Sequence, residues 1–398
     1  MASHGDESRS AAARGTSSHH RIQVEDDKGL RPFMRGIMVH SLVARGVSFE
    51  DAYRVANQVR DHLRGQVIVR RDALGELLRE LVGAEVFRDE RPWLPPDIGV
   101  IGSGGVRPFS KGRLSQSLLA AALDPNDAFD VAREIERELV ARGTREIDRG
   151  DLRKLAFETL ARDQGRAAAK RYLVWRRVQD QGRPVIILLG GTTGAGKTSL
   201  ALEVAHRLGI GRVLSTDSIR QIMRITLAPE LVPAIHGSSY EAHRLMASAS
   251  LGEQPVIEGF RAQAEIVSVG TKASIDRALS ENASVVIDGC SVVPGLIDLD
   301  AYREGAEVVF LLVAVFEPQG FESRFAERAI GERARAQHRY LENMEGIVAI
   351  QDYLLELADR YDVPIVDNAS FDRSVLLIIR HVTETLAKRG DIDAAHLD

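Results

Sequence analysis

A chain of 398 residues, 44% apolar and 27% charged, has the composition of a globular protein, and its length allows two or three domains at roughly 100–200 residues each. The formal charge of -5 gives no electrostatic ground for non-specific nucleic-acid binding, and the longest apolar stretch, Val308 to Phe316, falls short of the ~20 residues a membrane helix needs. A single cysteine, Cys290, excludes an intrachain disulfide and a cysteine-based zinc cluster, and with no apolar N-terminal signal region the expected compartment is the cytoplasm.

Residues 1–20 are rich in Ser, Arg, Gly and Ala without periodicity and are expected to form a disordered tail, in which His19 and His20 need no metal. An internal repeat follows. Shifted by 76 positions, Ile22 to Leu63 aligns without a gap on Ile98 to Leu139, with fifteen of forty-two positions identical, among them Arg31-Pro32-Phe33 and Arg107-Pro108-Phe109. Each copy opens on two short alternating segments around a turn, Glu25 to Gly29 or Gly102 to Gly105, which predicts a β-hairpin. Helices follow; in the second copy Leu114, Leu118 and Ala121 share a face, Asp124 starts a helix through Leu139, and Asp151 to Leu160 forms another.

The run Arg107 to Leu118 after such a hairpin resembles the ATP-cone, a regulatory nucleotide-binding domain. The resemblance implies that Lys111 and Arg113 face a nucleotide's phosphates. In the first copy Arg35 answers Lys111 but Ile37 replaces Arg113, so that copy is expected to be mainly structural. A packing module that binds nothing is the other reading of both copies. The predicted domains are therefore 21–90 and 91–165, both small α+β cone-like repeats, and a third at 170–390, with Arg171 to Gln181 as a linking segment.

That third domain alternates apolar runs with helical patterns, the signature of a parallel α/β sheet. Strands are expected at Val185–Leu189, Arg212–Ser215, Val285–Ile287, Glu307–Val313 and Pro364–Val366. Between the first strand and a helix at Ser199 to Leu208 lies Gly191-Thr192-Thr193-Gly194-Ala195-Gly196-Lys197-Thr198, a complete phosphate-binding loop. Its N–H groups suit the β-phosphate of ATP, Lys197 the β- and γ-oxygens, and the Thr198 hydroxyl a magnesium ion.

Catalytic groups in such folds gather at the carboxyl ends of the strands. Asp217, just past the second strand, is the candidate to orient or deprotonate an attacking hydroxyl, with Arg220 and Arg224 one turn apart on the same face; an N-cap aspartate with solvated arginines is the alternative. Asp288 ends the third strand and is the candidate second carboxylate for magnesium, or else a turn aspartate before Gly289. The cluster Arg324, Arg328, Arg333, Arg335 and Arg339 suggests a lid bringing cations to the transferring phosphoryl, with Arg328 the chosen catalytic arginine; an exposed ion-paired helix is the alternative.

The order of Gly190 to Lys197, Ser215 to Arg224, His236 to Tyr240, Val292 to Gly295, Arg324 to Tyr340 and Val363 to Asn368 resembles the 2-phosphoglycerate kinase family over about 98–390. The resemblance implies a P-loop kinase that uses ATP to phosphorylate the 3-hydroxyl of 2-phosphoglycerate, giving 2,3-bisphosphoglycerate. A small acceptor with a carboxylate and a phosphate needs cations, for which Arg220, Arg224 and Arg261 are the candidates, with Ser239 and Tyr240 as neutral donors. Two departures stand out: Asp288-Gly289-Cys290-Ser291 where the family usually has Glu-Gly-Val-His, and the added first repeat. Two other functions stay open at this stage, a nucleotide sensor that binds ATP without turnover and a kinase for another acceptor. No membrane or nucleic-acid partner is expected, and association through the cone repeats is left open.

Overall fold

The computed structural model describes residues 22–26, 29–43, 47–83, 98–248, 251–317 and 342–389. The tail at 1–20 and the arginine cluster with Arg328 lie outside the described residues. The chain forms two compact units, 1–97 and 98–398.

In the first unit β1 (Gln23–Asp26) and β2 (Gly29–Pro32) make the expected antiparallel hairpin, and β3 (Ile68–Arg70) runs parallel to β1 on its other edge, giving the order β2-β1-β3. Three helices follow or intervene: α1 (Arg35–Val43), α2 (Phe49–His62) and α3 (Arg71–Val82). The second unit begins on the same plan, with β4 (Gly99–Gly102), β5 (Gly105–Pro108) and β6 (Glu146–Asp148) in the order β5-β4-β6 and helices α4 (Lys111–Leu118), α5 (Pro125–Ala141) and α6 (Arg149–Asp163). The repeat identities now have a reason: Leu42 and Leu118, Ala52 and Ala128, Val55 and Val131, Ala56 and Ala132, and Leu63 and Leu139 are buried in the two cores. The third strand of each copy, β3 and β6, was not read from the sequence.

The segment read as a link is most of a helix, α7 (Arg166–Gln181). It is buried on two sides. Ala168, Ala169 and Tyr172 complete the cone core, while Val174, Trp175 and Val178 enter the core of the α/β domain. Side chains and backbone tie the same seam: Gln116 Nε2 donates to the His206 carbonyl at 2.6 Å, Arg171 Nε to the Ala121 carbonyl at 2.8 Å, and buried Arg207 to the Leu123 carbonyl at 3.3 Å.

Five parallel strands follow in the order β11-β10-β7-β9-β8: β7 (Val185–Gly190), β8 (Val213–Ser215), β9 (Val285–Gly289), β10 (Glu307–Ala314) and β11 (Ile365–Asp367). They fall where the apolar runs placed them. β7 is central and wholly buried: Val185, Ile187 and Leu189 face one core, Ile186 and Leu188 the other, so the strand reads as an unbroken apolar run. The covering helices are α8 (Lys197–Leu208), α9 (Thr216–Thr226), α10 (Pro255–Ser280), α11 (Met344–Arg360) and α12 (Phe371–Arg389). Among the described residues no helix is long and apolar enough to cross a membrane.

The two-core role of α7 gives a first expectation. Trp175→Ala should cost about 3–5 kcal/mol in denaturant unfolding of the α/β domain. A loss under ~1 kcal/mol would show that α7 is not part of that core.

Candidate active site

The phosphate loop leaves β7 at the carboxyl edge of the sheet, between β9 and β10. Gly191 has φ +142°, and a Cβ there would lie 2.2 Å from the Val313 carbonyl oxygen, so the backbone passes β10 at a distance only glycine permits. α8 begins at Lys197, directing its first free N–H groups into the loop. Lys197 is 7% exposed, and its Nζ donates to the Thr192 carbonyl at 2.6 Å, with Cys290 Sγ at 3.7 Å. Two distant elements hold the loop from outside. The Thr192 hydroxyl donates to the Ile347 carbonyl at 3.0 Å in α11, and Asn368 Nδ2, just past β11, donates to the Ala195 carbonyl at 2.9 Å.

β9 brings Asp288 beside this loop, in register with Leu189 of β7 and Ser215 of β8. The Thr198 hydroxyl donates to Asp288 Oδ2 at 2.6 Å. The other oxygen, Oδ1, is buried without a hydrogen-bond partner, and the residue is 1% exposed. Burial pushes the Asp288 carboxyl above its ordinary value, against the opposing hydrogen bond from Thr198 and the charge of Lys197. Thr198 and this orphaned oxygen form a donor set of hard oxygens that fits a divalent cation. Among the described residues no group of three or more His, Cys, Asp or Glu could hold a metal by itself, so a cation here would draw its remaining ligands from phosphate and water.

Asp217 is not the helix cap. Ser215 holds that position, its hydroxyl accepting from the Asp217 N–H at 3.2 Å, which leaves the Asp217 carboxylate 68% exposed and 3.4 Å from Arg220 Nη2. Arg220, 14% exposed, donates through Nη1 to the carbonyls of Ile235 and Gly237 at 3.2 and 2.9 Å. Gln263 Nε2 bonds the same loop at the Ala234 carbonyl, 2.6 Å away. Together they fix the segment that carries Ser239, whose Oγ lies 3.3 Å from Thr193 Oγ1. Arg220 therefore positions a loop, where the sequence suggested a contact to the acceptor.

The other sequence candidates divide. Ser239 reaches the phosphate loop, whereas the Tyr240 ring is buried in the core. Arg224 is half-buried on α9. Arg261 opens onto a separate cleft with Tyr353 and Arg360, and has Glu265 at 3.9 Å. Arg328 lies outside the described residues. Sequence reasoning assigned no role to Asn368, Gln263 or Cys290, whose Sγ is 3.4 Å from Thr193 Oγ1. Asn368 lay within the family-like segment Val363 to Asn368, whereas Gln263 and Cys290 carried no signal of this kind, and the partners of all three lie far off in the chain.

A second basic site sits in the cone. Its hairpin tip, α4, α6 and α7 enclose a cleft of about 410 Å³ lined by Arg107, Arg113, Arg149, Arg153 and Arg176, with Tyr172 and with no acidic side chain. The Nε atoms of Arg153 and Arg176 are buried and unpartnered. Burial lowers the Arg176 guanidinium below its ordinary value, and Arg149 and Arg153 repel it further. Lys111 does not line the cleft; its Nζ pairs with Glu136 at 2.9 Å.

A phosphate loop on the central strand, a carboxylate on the adjoining strand beside its threonine, and a second aspartate opening the next helix define a P-loop kinase. Residues 100–181 match the ATP cone domain and residues 171–228 match Zeta toxin. The chain is 37% identical to 2-phosphoglycerate kinase of Pyrococcus furiosus over 71% of its own length and 91% of that protein's. The corresponding enzyme of Methanocaldococcus jannaschii is also 37% identical, over 74% and 93%. The chain belongs to the 2-phosphoglycerate kinase family. It is also similar to shikimate kinase from Acinetobacter baumannii in complex with shikimate (14% identity, TM-score 0.32, 53% of this chain and 96% of that one). That likeness is too loose to carry an argument about the site. The cone match runs to 181, in keeping with α7 as part of the cone.

Because burial raises the folded pKa of Asp288, the folded protein favours its protonated form more than the unfolded chain does. The resulting stabilisation is complete below the ordinary aspartate range and is lost as pH rises through the folded pKa. The nucleotide-free Asp288→Asn variant should therefore melt higher than the parent at neutral pH, with the gap closing in acid. Equal melting temperatures across that pH range would show that Asp288 is not held under strain.

Proposed function

We propose that this protein transfers the γ-phosphoryl group of ATP to the 3-hydroxyl of 2-phosphoglycerate, releasing ADP and 2,3-bisphosphoglycerate. Membership of the family carries the choice of acceptor. The chemistry is supported by the convergence of Lys197, Thr198 and Asp288 at one strand edge, with the Asp217 carboxylate outside the helix cap and 3.4 Å from Arg220.

In this reading the N–H groups of 191–198 bind the β-phosphate, and Lys197 exchanges the Thr192 carbonyl for β- and γ-oxygens. Thr198 and Asp288 would hold a magnesium ion, which would supply charge neutralisation to the phosphates. Asp217 accepts the proton of the acceptor hydroxyl as its oxygen bonds to the γ-phosphorus and the bond to the β–γ bridging oxygen breaks. The loop fixed by Arg220 and Gln263 places Ser239 at the acceptor side, and Arg224 is the remaining cation on α9 for the anionic substrate. Arg328 is assigned to the transferring phosphoryl by its place in the sequence. Such a reaction belongs in the cytoplasm, where ATP is available and Cys290 stays reduced.

The cone cleft supports a second, regulatory nucleotide site, in which Arg113 acts with Arg107, Arg149, Arg153 and Arg176 in place of Lys111.

An acceptor screen tests the first reading. ADP formation should depend on 2-phosphoglycerate, and Asp217→Asn should lower kcat about 10²–10⁴-fold with ATP binding retained. ADP release no faster with 2-phosphoglycerate than with water would end it. For the cone, titration with a non-hydrolysable ATP analogue should give two sites per chain, with Arg153→Ala removing one and Lys197→Ala weakening the other. A single site in the unsubstituted protein would eliminate the cone as a nucleotide site.

A further inference from the structure

Where β10 ends, one side chain takes the place of a strand. The Leu312 N–H and the Ala314 carbonyl bond toward β11, at the Pro364 carbonyl and the Asn368 N–H, both at 2.9 Å. Alternation then turns the N–H and C=O of Val313 and Val315 toward β7. β7 pairs with β10 only as far as Gly190 opposite Leu312, because beyond it the chain curls into the phosphate loop. Val315, the residue after β10 and 3% exposed, therefore meets no strand on that side among the described residues.

Gln351 supplies the missing pairing. Its Oε1 accepts the Val315 N–H and its Nε2 donates to the Val315 carbonyl, both at 2.9 Å, which copies the two-point bonding of a neighbouring strand. Gln351 is 6% exposed on α11, so its amide and the Val315 backbone groups would each be left buried and unsatisfied without the other.

This pairing joins two supports of the phosphate loop. One turn before Gln351, on the same face of α11, the Ile347 carbonyl accepts the Thr192 hydroxyl at 3.0 Å. Two residues before Val315 lies the Val313 carbonyl, against which Gly191 is pressed. α11 and β10 thus each hold the first residues of the loop, and Gln351 fixes the separation of those two holds. The next loop residue, Thr193, has its Oγ1 3.3 Å from Ser239 Oγ, on the side assigned to the acceptor. The far end of the loop, Lys197 and Thr198, is carried by α8 instead.

We propose that Gln351 is a positioning residue for phosphoryl transfer: by pairing with Val315 it holds β10 and α11 at the separation that sets the acceptor-facing start of the phosphate loop, while ATP affinity is left to the α8 end. The proposal rests on the kinase reading above.

The test is Gln351→Met, a side chain of similar length with no amide to bond Val315, in the full chain. Turnover is followed both as transfer to 2-phosphoglycerate and as ATP hydrolysis by water, with titration of an ATP analogue for affinity and thermal melting for the folded fraction. A wrong acceptor would silence transfer in the parent chain, while hydrolysis would still report on Gln351. Per folded chain, kcat should fall about 10²-fold with the Kd of the analogue within about threefold of the parent. Leu354→Ala, which opens a cavity three residues further along α11 in the same core, should lower the melting temperature and leave kcat unchanged. Should the Met variant not fold, Gln351→Asn, whose amide is one methylene short of Val315, decides, with kcat expected to fall at least about tenfold. An unchanged kcat in the folded Gln351 variant, an equal loss of kcat in Leu354→Ala, or an analogue Kd weakened as much as kcat would each overturn the proposal.

Discussion

The phosphate loop is a stretch of backbone whose N–H groups must point at a ligand and so cannot be satisfied within the fold. Such a loop keeps its shape only if everything around it is rigid. Here the strand before it is buried on both faces, Gly191 is pressed against the β10 carbonyl of Val313, and side chains at Thr192 and Asn368 tie its carbonyl side to α11 and to the end of β11. The order of the sheet, the need for glycine and the position of Asp288 follow from that one requirement.

Asp288 shows the cost of the arrangement. A carboxylate with a buried, unpartnered oxygen is unfavourable in the absence of a cation, and the raised pKa expresses that penalty. The threonine that would serve the metal bonds the carboxylate instead. Gly289 next to it has φ +151°, and a Cβ there would fall on the Thr216 hydroxyl, so the helix bearing Asp217 can start against the strand bearing Asp288. The glycine after the carboxylate thus sets the spacing between metal-site and base candidates.

The cone is joined to the kinase domain by burial on both sides of one helix. α7 gives Tyr172 and Arg176 to the basic cleft and Trp175 and Val178 to the kinase core, and it ends four residues before β7 begins. A ligand in the cleft would therefore touch the helix that leads into the phosphate-loop strand. In the first repeat Ile37 and Gly75 stand where the second has Arg113 and Arg153, while Arg31 and Arg71 keep the places of Arg107 and Arg149.

Strands and the phosphate loop were legible in the sequence because their signals are local: an unbroken apolar run means burial on both faces, and the loop's glycines and lysine are adjacent in the chain. The repeat was legible because its identities sit in the core, where packing restricts substitution. The third strand of each cone repeat was not read, although β8 and β11, equally short, were, and α7 passed for a linker because two buried faces leave no single apolar stripe for a period to show. The roles of Arg220, Tyr240 and Lys111 were decided by tertiary structure alone. A guanidinium, a phenol or an ammonium suits a substrate, a backbone carbonyl, a core or an ion pair equally well by its chemistry. Only the fold, by bringing Gly237 to Arg220 and Glu136 to Lys111, selects among them.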